Sequence, residues 1–187
     1  GKTDWEALLK KVLPYVDFFV PSIEEIAYMA DKELYHAWTE RAGNQDITLF
    51  VTKKEIDALA QKLLAWGAKA VLLKCGAPGM YLKTADEKVM KQINKDLLMD
   101  TKKWSGLAHF EESYVPEAVL SGTGAGDTSI AAFLYAVTEG YSWEECLKLA
   151  VGTGTVCVEA YDAVSGLKTF DQLQEKINNG WQKQHLL

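Results

Sequence analysis

The chain has 187 residues, of which 48% are hydrophobic and 25% are charged, and these values are typical of one globular domain with a substantial core. Its net charge of −6, without a cluster of lysine and arginine, argues against nucleic acid as a partner. No apolar run reaches the length of a membrane span and no signal peptide heads the chain, so a cytoplasmic protein without a membrane partner is expected.

The first elements alternate between helix and strand. Thr3–Glu6 has the Thr-x-x-Glu spacing of a capping box, which predicts Thr3 as the N-cap of a helix that ends at Pro14. Val16–Val20 is a short apolar run and predicts a strand. Ser22–Glu25 repeats the capping spacing and predicts the start of a second helix.

The next segment predicts the architecture. Residues 47–51 are expected to be briefly extended, and Thr52–Glu55 caps a third helix, which ends at Gly67. Ala70–Lys74 then reads as a strand that is buried on both faces, as in a parallel sheet. A helix, a glycine and a buried strand in this order are typical of a β-α-β unit, so the fold class is expected to be α/β.

The segment Cys75–Leu82 after this strand has two interpretations. Ligand groups gather at the carboxyl ends of strands in α/β proteins. Pro78-Gly79 alone, however, is sufficient for a plain β-turn. Further along, Thr84–Lys88 predicts a polar turn between two strands of a hairpin, Met80–Lys83 and Val89–Ile93. The long irregular sequence that follows receives no functional prediction.

The stretch Leu120–Ser129 contains three glycines, an acid and the start of a helical apolar run. Glycine allows backbone angles and close approaches that other residues do not. A glycine turn that leads into a helix therefore predicts outward-pointing N–H groups that bind an anion, most often phosphate. Asp127 stands where a proton acceptor would be needed for phosphoryl transfer. The alternative is that Asp127 is only the N-cap of the helix.

Two other glycine motifs do not fit. A Walker A loop requires a lysine after its last glycine, and no lysine lies between Lys103 and Lys148. A dinucleotide fingerprint has the pattern Gly-x-Gly-x-x-Gly. If it began at Gly122 its last glycine would fall on Asp127, and if it began at Gly124 its last glycine would fall on Ser129, so neither alignment fits. The sequence therefore argues against a P-loop and against a nucleotide-binding oxidoreductase.

Three helices complete the chain. The first follows Asp127 and ends at about Thr138. Ser142–Glu145 is a capping box that begins the second helix, in which Gly152 and Gly154 are each unfavourable by about 1 kcal/mol relative to alanine. Such glycines favour a tightly packed neighbour, either another helix or a ligand. The last helix is expected at about 170–178.

Cysteine and histidine spacing excludes other sites. Cys75, Cys146 and Cys157 are far apart, with no Cys-x-x-Cys pair, which argues against a disulfide scaffold and a zinc site and favours a reducing compartment. The three histidines are equally scattered.

Gly124-Ala125-Gly126-Asp127, entered through Thr123 and followed by a small-residue helix, resembles the C-terminal signature of the ribokinase-like (PfkB) carbohydrate kinases. The resemblance covers nearly the whole chain. It implies a three-layer α/β/α sandwich of the ribokinase-like fold, here without its N-terminal portion and β lid. Residues 1–187 are then the C-terminal nucleotide-binding and catalytic part of a single kinase domain.

The resemblance also implies a role for each matching residue. Asp127 is expected to be the base that takes the proton of the substrate hydroxyl. The backbone of Gly124, Ala125 and Gly126 is expected to form an anion hole for the transferred phosphoryl group. Glu25 matches the acid that organises Mg²⁺. The residues expected to border ATP are Lys74, Gly76, Gly79 and Thr123, with Val151 and Thr155 beside the adenine.

Three departures from the family pattern qualify these roles. Ser22 replaces the usual asparagine, and Ser-x-x-Glu is itself a capping box, so Glu25 can serve as a cap, as a magnesium-organising acid, or as both. Ser121 replaces an aspartate that helps to bind a monovalent cation in some members, which leaves such a cation site unsupported. Residues 160–166 replace the usual Gly-Ala near the adenine. For Val151 and Thr155, helix packing is an equal alternative.

The expected function is transfer of the ATP γ-phosphate to a hydroxyl of a carbohydrate or carbohydrate-like substrate, with Mg²⁺. The substrate itself is not predicted, and residues 1–187 alone are expected to be inactive on sugar. A homodimer through the missing lid is possible under the same resemblance. The main rival is a non-catalytic relative that binds nucleotide or sugar for regulation, which the serines at positions 22 and 121 keep open.

Overall fold

The computed structural model describes residues 3–187, which form two compact units. The first unit comprises the described residues up to Lys95, together with residues 100–110 and Leu187. The second unit comprises residues 96–99 and 111–186. Each unit has its own helices and its own part of the candidate site.

The first unit is an α/β structure. Its elements are α1 (Trp5–Val12), β1 (Phe18–Phe19), α2 (Ile23–Ala30), α3 (Lys32–Ala42), α4 (Lys53–Ala65), β2 (Ala70–Lys74), β3 (Gly79–Thr84), α5 (Glu87–Met90) and β4 (Ala108–Glu112), the last two residues of which belong to the second unit. The strands form one sheet in the order β1-β2-β3-β4. β1 and β2 are parallel, with Phe18 opposite Ala70, and the helices α2, α3 and α4 connect them, which confirms the predicted β-α-β unit.

The core of the first unit lies where these helices pack. Residues Ala70–Leu73 of β2 are all buried, so the prediction of a strand covered on both faces is confirmed. Trp38 on α3 is fully buried and packs in the same cluster as apolar residues of α2, α4 and β2.

A buried lysine ties the two parallel strands together at their amino ends. Lys69 precedes β2 and is only 6% exposed. Its Nζ lies 3.0 Å from the Asp17 carboxylate and donates to the carbonyls of Pro14 (3.2 Å) and Val16 (3.3 Å). Because a buried ammonium must be fully paired, these contacts fix the chain that enters β1 against the start of β2.

The second unit contains α6 (Ala125–Thr138), α7 (Trp143–Cys157) and α8 (Phe170–Asn178). Helices α6 and α7 pack along each other, with small residues of both at their contact. The C-terminal segment pairs antiparallel with the chain after β4, where Tyr114 lies opposite Lys183 and the Tyr114 ring stacks on Trp181 with 4.3 Å between ring centroids.

Capping chemistry was the most reliable local signal. The boxes at Ser22–Glu25, Thr52–Glu55 and Ser142–Glu145 all form as predicted. The N-cap of α1, however, is Asp4 rather than Thr3, because the Asp4 carboxylate accepts a backbone hydrogen bond in the first turn. Ile47–Phe50 forms a 3₁₀ helix instead of an extended segment, since Asp46 caps it.

The predicted hairpin was placed one turn too late in the chain. β2 pairs antiparallel with β3, with Leu72 opposite Leu82, so the hairpin turn lies at residues 75–78. Val89 and Met90, which were expected to begin a strand, instead lie in the short helix α5 (Glu87–Met90), which Asp86 caps. Within residues 3–187, no helix is both long and apolar enough to cross a membrane.

Candidate active site

The glycine turn before α6 has the backbone geometry that an anion site requires. Gly124 is the N-cap, with φ 81° and ψ −10°, a left-handed conformation that favours glycine. Among residues 3–187, no side chain caps the helix. Asp127 lies inside the first turn, so the alternative that it is only the N-cap is wrong.

Three amides at this helix start have no acceptor among the described residues, namely those of Gly124, Gly126 and Asp127. The amide of Ala125, which was expected to join the anion hole, instead donates to the Gly122 carbonyl at 3.3 Å. Free amides and the positive end of the helix dipole together favour an anion at this place.

The Asp127 carboxylate stands beside these amides. The side chain is exposed, and within the described part of the chain it has neither a hydrogen-bond nor an ion-pair partner. Thr123, on the other side of the turn, is also exposed, and its amide donates to the Ser121 hydroxyl at 3.1 Å. The carboxylate is therefore available to a ligand, which is the first requirement for a general base.

In the first unit, the predicted site residues lie at the carboxyl ends of β1 and β2. Ser22 forms a parallel bridge with Lys74, and the Lys74 amide donates to the Pro21 carbonyl at 3.0 Å. Glu25 completes the capping box, in which its Oε2 accepts from the Ser22 amide at 3.4 Å and its own amide donates to the Ser22 hydroxyl at 3.3 Å. The capping interpretation is thus confirmed, and it places Glu25 and Lys74 at the same end of the sheet.

The turn that follows β2 is a β-turn, as one of the two interpretations predicted. The Gly79 amide donates to the Gly76 carbonyl at 3.1 Å, and the Cys75 amide donates to the Gly79 carbonyl at 2.8 Å. Gly76 has φ 64°, and a Cβ at this position would lie 2.9 Å from the hydroxyl of Thr48. The glycine is needed for the turn itself, and its exposed backbone also leaves room for a ligand.

Two acidic side chains, Glu24 and Glu25, lie in the first turn of α2. Partial burial, followed by the charges of Asp46 and Glu25, raises the pKa of the Glu24 carboxyl. No cluster of three metal-ligating side chains occurs in residues 3–187. Mg²⁺ usually takes one or two carboxylates and completes its shell with phosphates and water, so Glu25 fits a magnesium ion that arrives with a nucleotide.

Val151 and Thr155 lie in the interior of the second unit. They are 3% and 5% exposed, and the Thr155 hydroxyl donates to the Val151 carbonyl at 2.8 Å. Gly154, between them, lies against Ser129 of α6. The packing alternative is confirmed for Gly154, while contact of Val151 or Thr155 with adenine stays a prediction.

The structure brings the site residues together in two sets. Glu25, Lys74, Gly76 and Gly79 belong to the first unit, and residues 123–127 belong to the second. Sequence reasoning missed the residues that hold the glycine turn in place, because they lie 30 or more residues further along the chain and carry no motif. These residues are Cys157, Val158 and Ala163.

Known carbohydrate kinases resemble this chain in both sequence and fold. Residues 2–169 match the pfkB family carbohydrate kinase pattern. The chain is 33% identical to a ribokinase from Arabidopsis thaliana over 117 residues, which cover 62% of this chain and 26% of that protein. It spans less than half the length of this relative and of an uncharacterized sugar kinase from Archaeoglobus fulgidus, of which it covers 46%.

Solved structures share the fold. The structure of Arabidopsis thaliana ribokinase complexed with ribose and ATP has a TM-score of 0.62 and 24% identity, over 89% of this chain and 42% of that one. Aminoimidazole riboside kinase from Salmonella enterica, complexed with aminoimidazole riboside and an ATP analogue, has a TM-score of 0.60 and 17% identity, over 94% and 46% of the two chains. The expected ribokinase-like α/β fold is therefore confirmed.

Proposed function

We propose, from the premise that the chain belongs to the pfkB family of carbohydrate kinases, that it carries the catalytic part of an enzyme that transfers the γ-phosphate of ATP to a hydroxyl of a sugar or sugar-like substrate. Residues 1–187 then form the C-terminal nucleotide-binding and catalytic part of one kinase domain. The main support from the chain itself is the exposed Asp127 carboxylate, which lies beside the amides of Gly126 and Asp127. None of these three groups has a partner within residues 3–187.

In the proposed reaction, Asp127 accepts the proton of the substrate hydroxyl as its oxygen attacks the γ-phosphorus. The bond between the γ-phosphorus and the β,γ-bridging oxygen breaks, and ADP leaves. The amides of Gly124, Gly126 and Asp127 stabilise the negative charge of the transferred phosphoryl group through hydrogen bonds that are already oriented. Because these donors belong to a rigid helix start, they need little reorganisation during the reaction.

The first unit supplies the nucleotide contacts in this proposal. Lys74 has no ion-pair partner within the described chain, and its ammonium is assigned to the ATP phosphates. The exposed turn at Gly76 and the neighbouring Gly79 border the nucleotide, and Glu25 orients Mg²⁺ through its free carboxylate oxygen. Mg²⁺ supplies charge neutralisation on the phosphates when it is bound.

The test is an assay of the complete protein with ATP, Mg²⁺ and a panel of pentoses, hexoses and nucleosides, with the phosphorylated product identified by mass. We expect one member of the panel to be phosphorylated. Asp127→Asn should lower kcat by about 10²-fold or more while the Kd for ATP stays within about twofold. Asp171→Asn is the matched control, because Asp171 is also an exposed acid in the first turn of a helix, α8.

Two outcomes contradict the proposal. Turnover of Asp127→Asn at the wild-type rate rejects the base. Binding of ATP or sugar by the wild-type protein, without phosphorylation of any panel member, favours the regulatory alternative that the serines at 22 and 121 leave open.

A further inference from the structure

The C-terminal part of α7 and the residue after it contact the chain that enters the glycine turn. The Val158 carbonyl accepts hydrogen bonds from the amides of Leu120 (2.8 Å) and Ser121 (3.3 Å). One residue earlier, at the end of the helix, the buried Cys157 thiol lies 3.6 Å from the Thr123 carbonyl and 3.5 Å from the Ala163 carbonyl, both within reach of its one hydrogen. The chain that enters the turn is thus held against the C-terminal end of α7 at several of its residues.

The far side of the turn is held by two hydroxyl groups. Ser129 is only 3% exposed, and its Oγ donates to the Ala125 carbonyl at 2.6 Å. The Thr128 hydroxyl donates to the Gly124 carbonyl at 2.9 Å. Side-chain bonds of this kind to the preceding turn bend a helix locally, so they set the direction in which the first amides of α6 point.

Gly154 of α7 is in contact with the Ser129 hydroxyl. A Cβ built on Gly154 would lie 2.3 Å from the Ser129 Oγ and 3.4 Å from the Ala125 carbonyl oxygen. The hydroxyl cannot move aside without losing its bond, because it is buried and held by Ala125. Only glycine leaves it in place.

We infer that Gly154 and Ser129 are positioning residues for phosphoryl transfer, which act by holding the Ala125 carbonyl and thereby the direction of the Gly126 and Asp127 amides. The inference rests on the proposed function of this turn. Ser129 is buried and its hydroxyl is already bonded to Ala125, and Gly154 has no side chain, so neither residue offers a side-chain group to a substrate. Their effect must therefore pass through the turn.

The physical consequence is specific. A misplacement of about 1 Å in a reacting constellation can lower a rate about 10²-fold. Substrate binding also depends on groups outside the glycine turn. A displacement of the Gly126 and Asp127 amides should therefore lower kcat far more than it raises KM for ATP or for the acceptor. A merely structural role would lower the stability of the protein and leave kcat per folded molecule unchanged.

Four variants of the complete protein separate these cases: Gly154→Ala, Ser129→Ala, the double variant, and Gly152→Ala as a control. Gly152 lies on the same helix and is buried, but a Cβ there would meet its nearest atom, in Trp181, at 3.5 Å, which is ordinary contact. Gly154→Ala and Gly152→Ala make the same chemical change two residues apart.

We expect Gly154→Ala to lower kcat about tenfold or more with KM nearly unchanged, and Gly152→Ala to stay within about twofold of wild type. Ser129→Ala should lower kcat by less, since it removes one bond without a clash. The double variant should match Ser129→Ala, because the clashing oxygen is gone. A double variant as slow as the product of the two single effects, or a Gly154→Ala enzyme with wild-type kcat, overturns the inference.

Two further measurements keep the test decisive. If Gly154→Ala does not fold, Ser129→Ala decides: its kcat must fall while KM stays nearly unchanged. If the wild-type protein transfers no phosphate, the proposed function fails, and the inference is tested by the amide signals of Gly126 and Asp127 in ¹H–¹⁵N spectra titrated with inorganic phosphate. Gly154→Ala must shift both signals and weaken the phosphate response, and the double variant must restore them; unchanged signals in Gly154→Ala overturn it.

Discussion

Gly124 and Ala163 lie so close together that a Cβ built on Gly124 would be 2.3 Å from the Cβ of Ala163. The contact joins the glycine turn to the loop after α7. Gly124 also has a positive φ, so two independent constraints require glycine at the N-cap of α6.

Gly124→Ala should therefore destabilise the protein as well as inactivate it. The left-handed conformation disfavours alanine by about 1–2 kcal/mol, and the overlap with Ala163 adds about 1–3 kcal/mol. The expected loss in the free energy of unfolding is therefore about 2–5 kcal/mol, measured by urea denaturation. Gly122→Ala is the control, since no atom of the described residues lies within 4 Å of its Cβ position and its φ is not positive. It should change the free energy of unfolding by less than about 0.5 kcal/mol. Equal losses in the two variants contradict the assignment.

Lys69→Met should be strongly destabilising. The substitution leaves the carbonyls of Pro14 and Val16 without the Lys69 donor and removes the partner of Asp17, which together are expected to lower the free energy of unfolding by about 2–4 kcal/mol. Lys10→Met is the comparison, because the Lys10–Glu6 pair is about half exposed and is expected to contribute less than about 1 kcal/mol.

If Lys69→Met is no worse than Lys10→Met, the buried lysine does not fix β1 against β2. In that case the placement of Glu25 and Lys74 at one end of the sheet has to depend on other contacts, such as the bridge between Ser22 and Lys74.

These contacts show which parts of the structure were predictable from sequence. Capping boxes and buried strands involve residues close in the chain, so Ser22–Glu25 and Ala70–Lys74 were assigned correctly. The geometry of the candidate site also depends on contacts between segments that are far apart in the chain, and a single sequence does not show which distant segments meet. Gly124 and Ala163 are in contact although they are 39 positions apart in the chain. Lys69 and Asp17 form an ion pair although three α-helices lie between them in the sequence.

Local competition explains the errors. Thr3 and Asp4 are both good N-caps, and only the structure shows which oxygen reaches the first turn. Pro78-Gly79 and Thr84–Lys88 are both turn signals, and the antiparallel register of β2 and β3 selects the first. From the sequence, Asp127 was a reasonable N-cap for α6, but in the structure the left-handed Gly124 occupies the N-cap position.

Asp57 should make stability depend on pH. Partial burial works against its ionisation, but the hydrogen bonds from Lys83 and Tyr81 and the charge of Lys83 outweigh it and hold the pKa of this carboxyl below its ordinary value. A depressed pKa stabilises the folded state above the ordinary carboxyl value of about 4, and this contribution is lost as the pH falls through the folded-state pKa.

Asp57→Asn should thus lower the free energy of unfolding by about 0.5–1 kcal/mol at pH 7, a small effect because the side chain is 44% exposed. The difference from wild type should shrink below about pH 4, as measured by urea denaturation at several pH values. In a Lys83→Met background the same substitution should have a smaller effect at pH 7. A difference that grows on acidification contradicts the assignment.

Glu25→Gln tests whether this acid does more than cap α2. Glutamine keeps an oxygen that can accept from the Ser22 amide, so the free energy of unfolding should fall by less than about 1 kcal/mol. The Mg²⁺ concentration for half-maximal kinase activity should rise about tenfold or more, because the negative group that orients the metal is lost. Glu145→Gln is a matched control, since Glu145 occupies the same position in the box with Ser142. It should cost the same stability without any change in magnesium dependence, and a shift shared by both variants, or absent from both, shows that Glu25 is a cap alone.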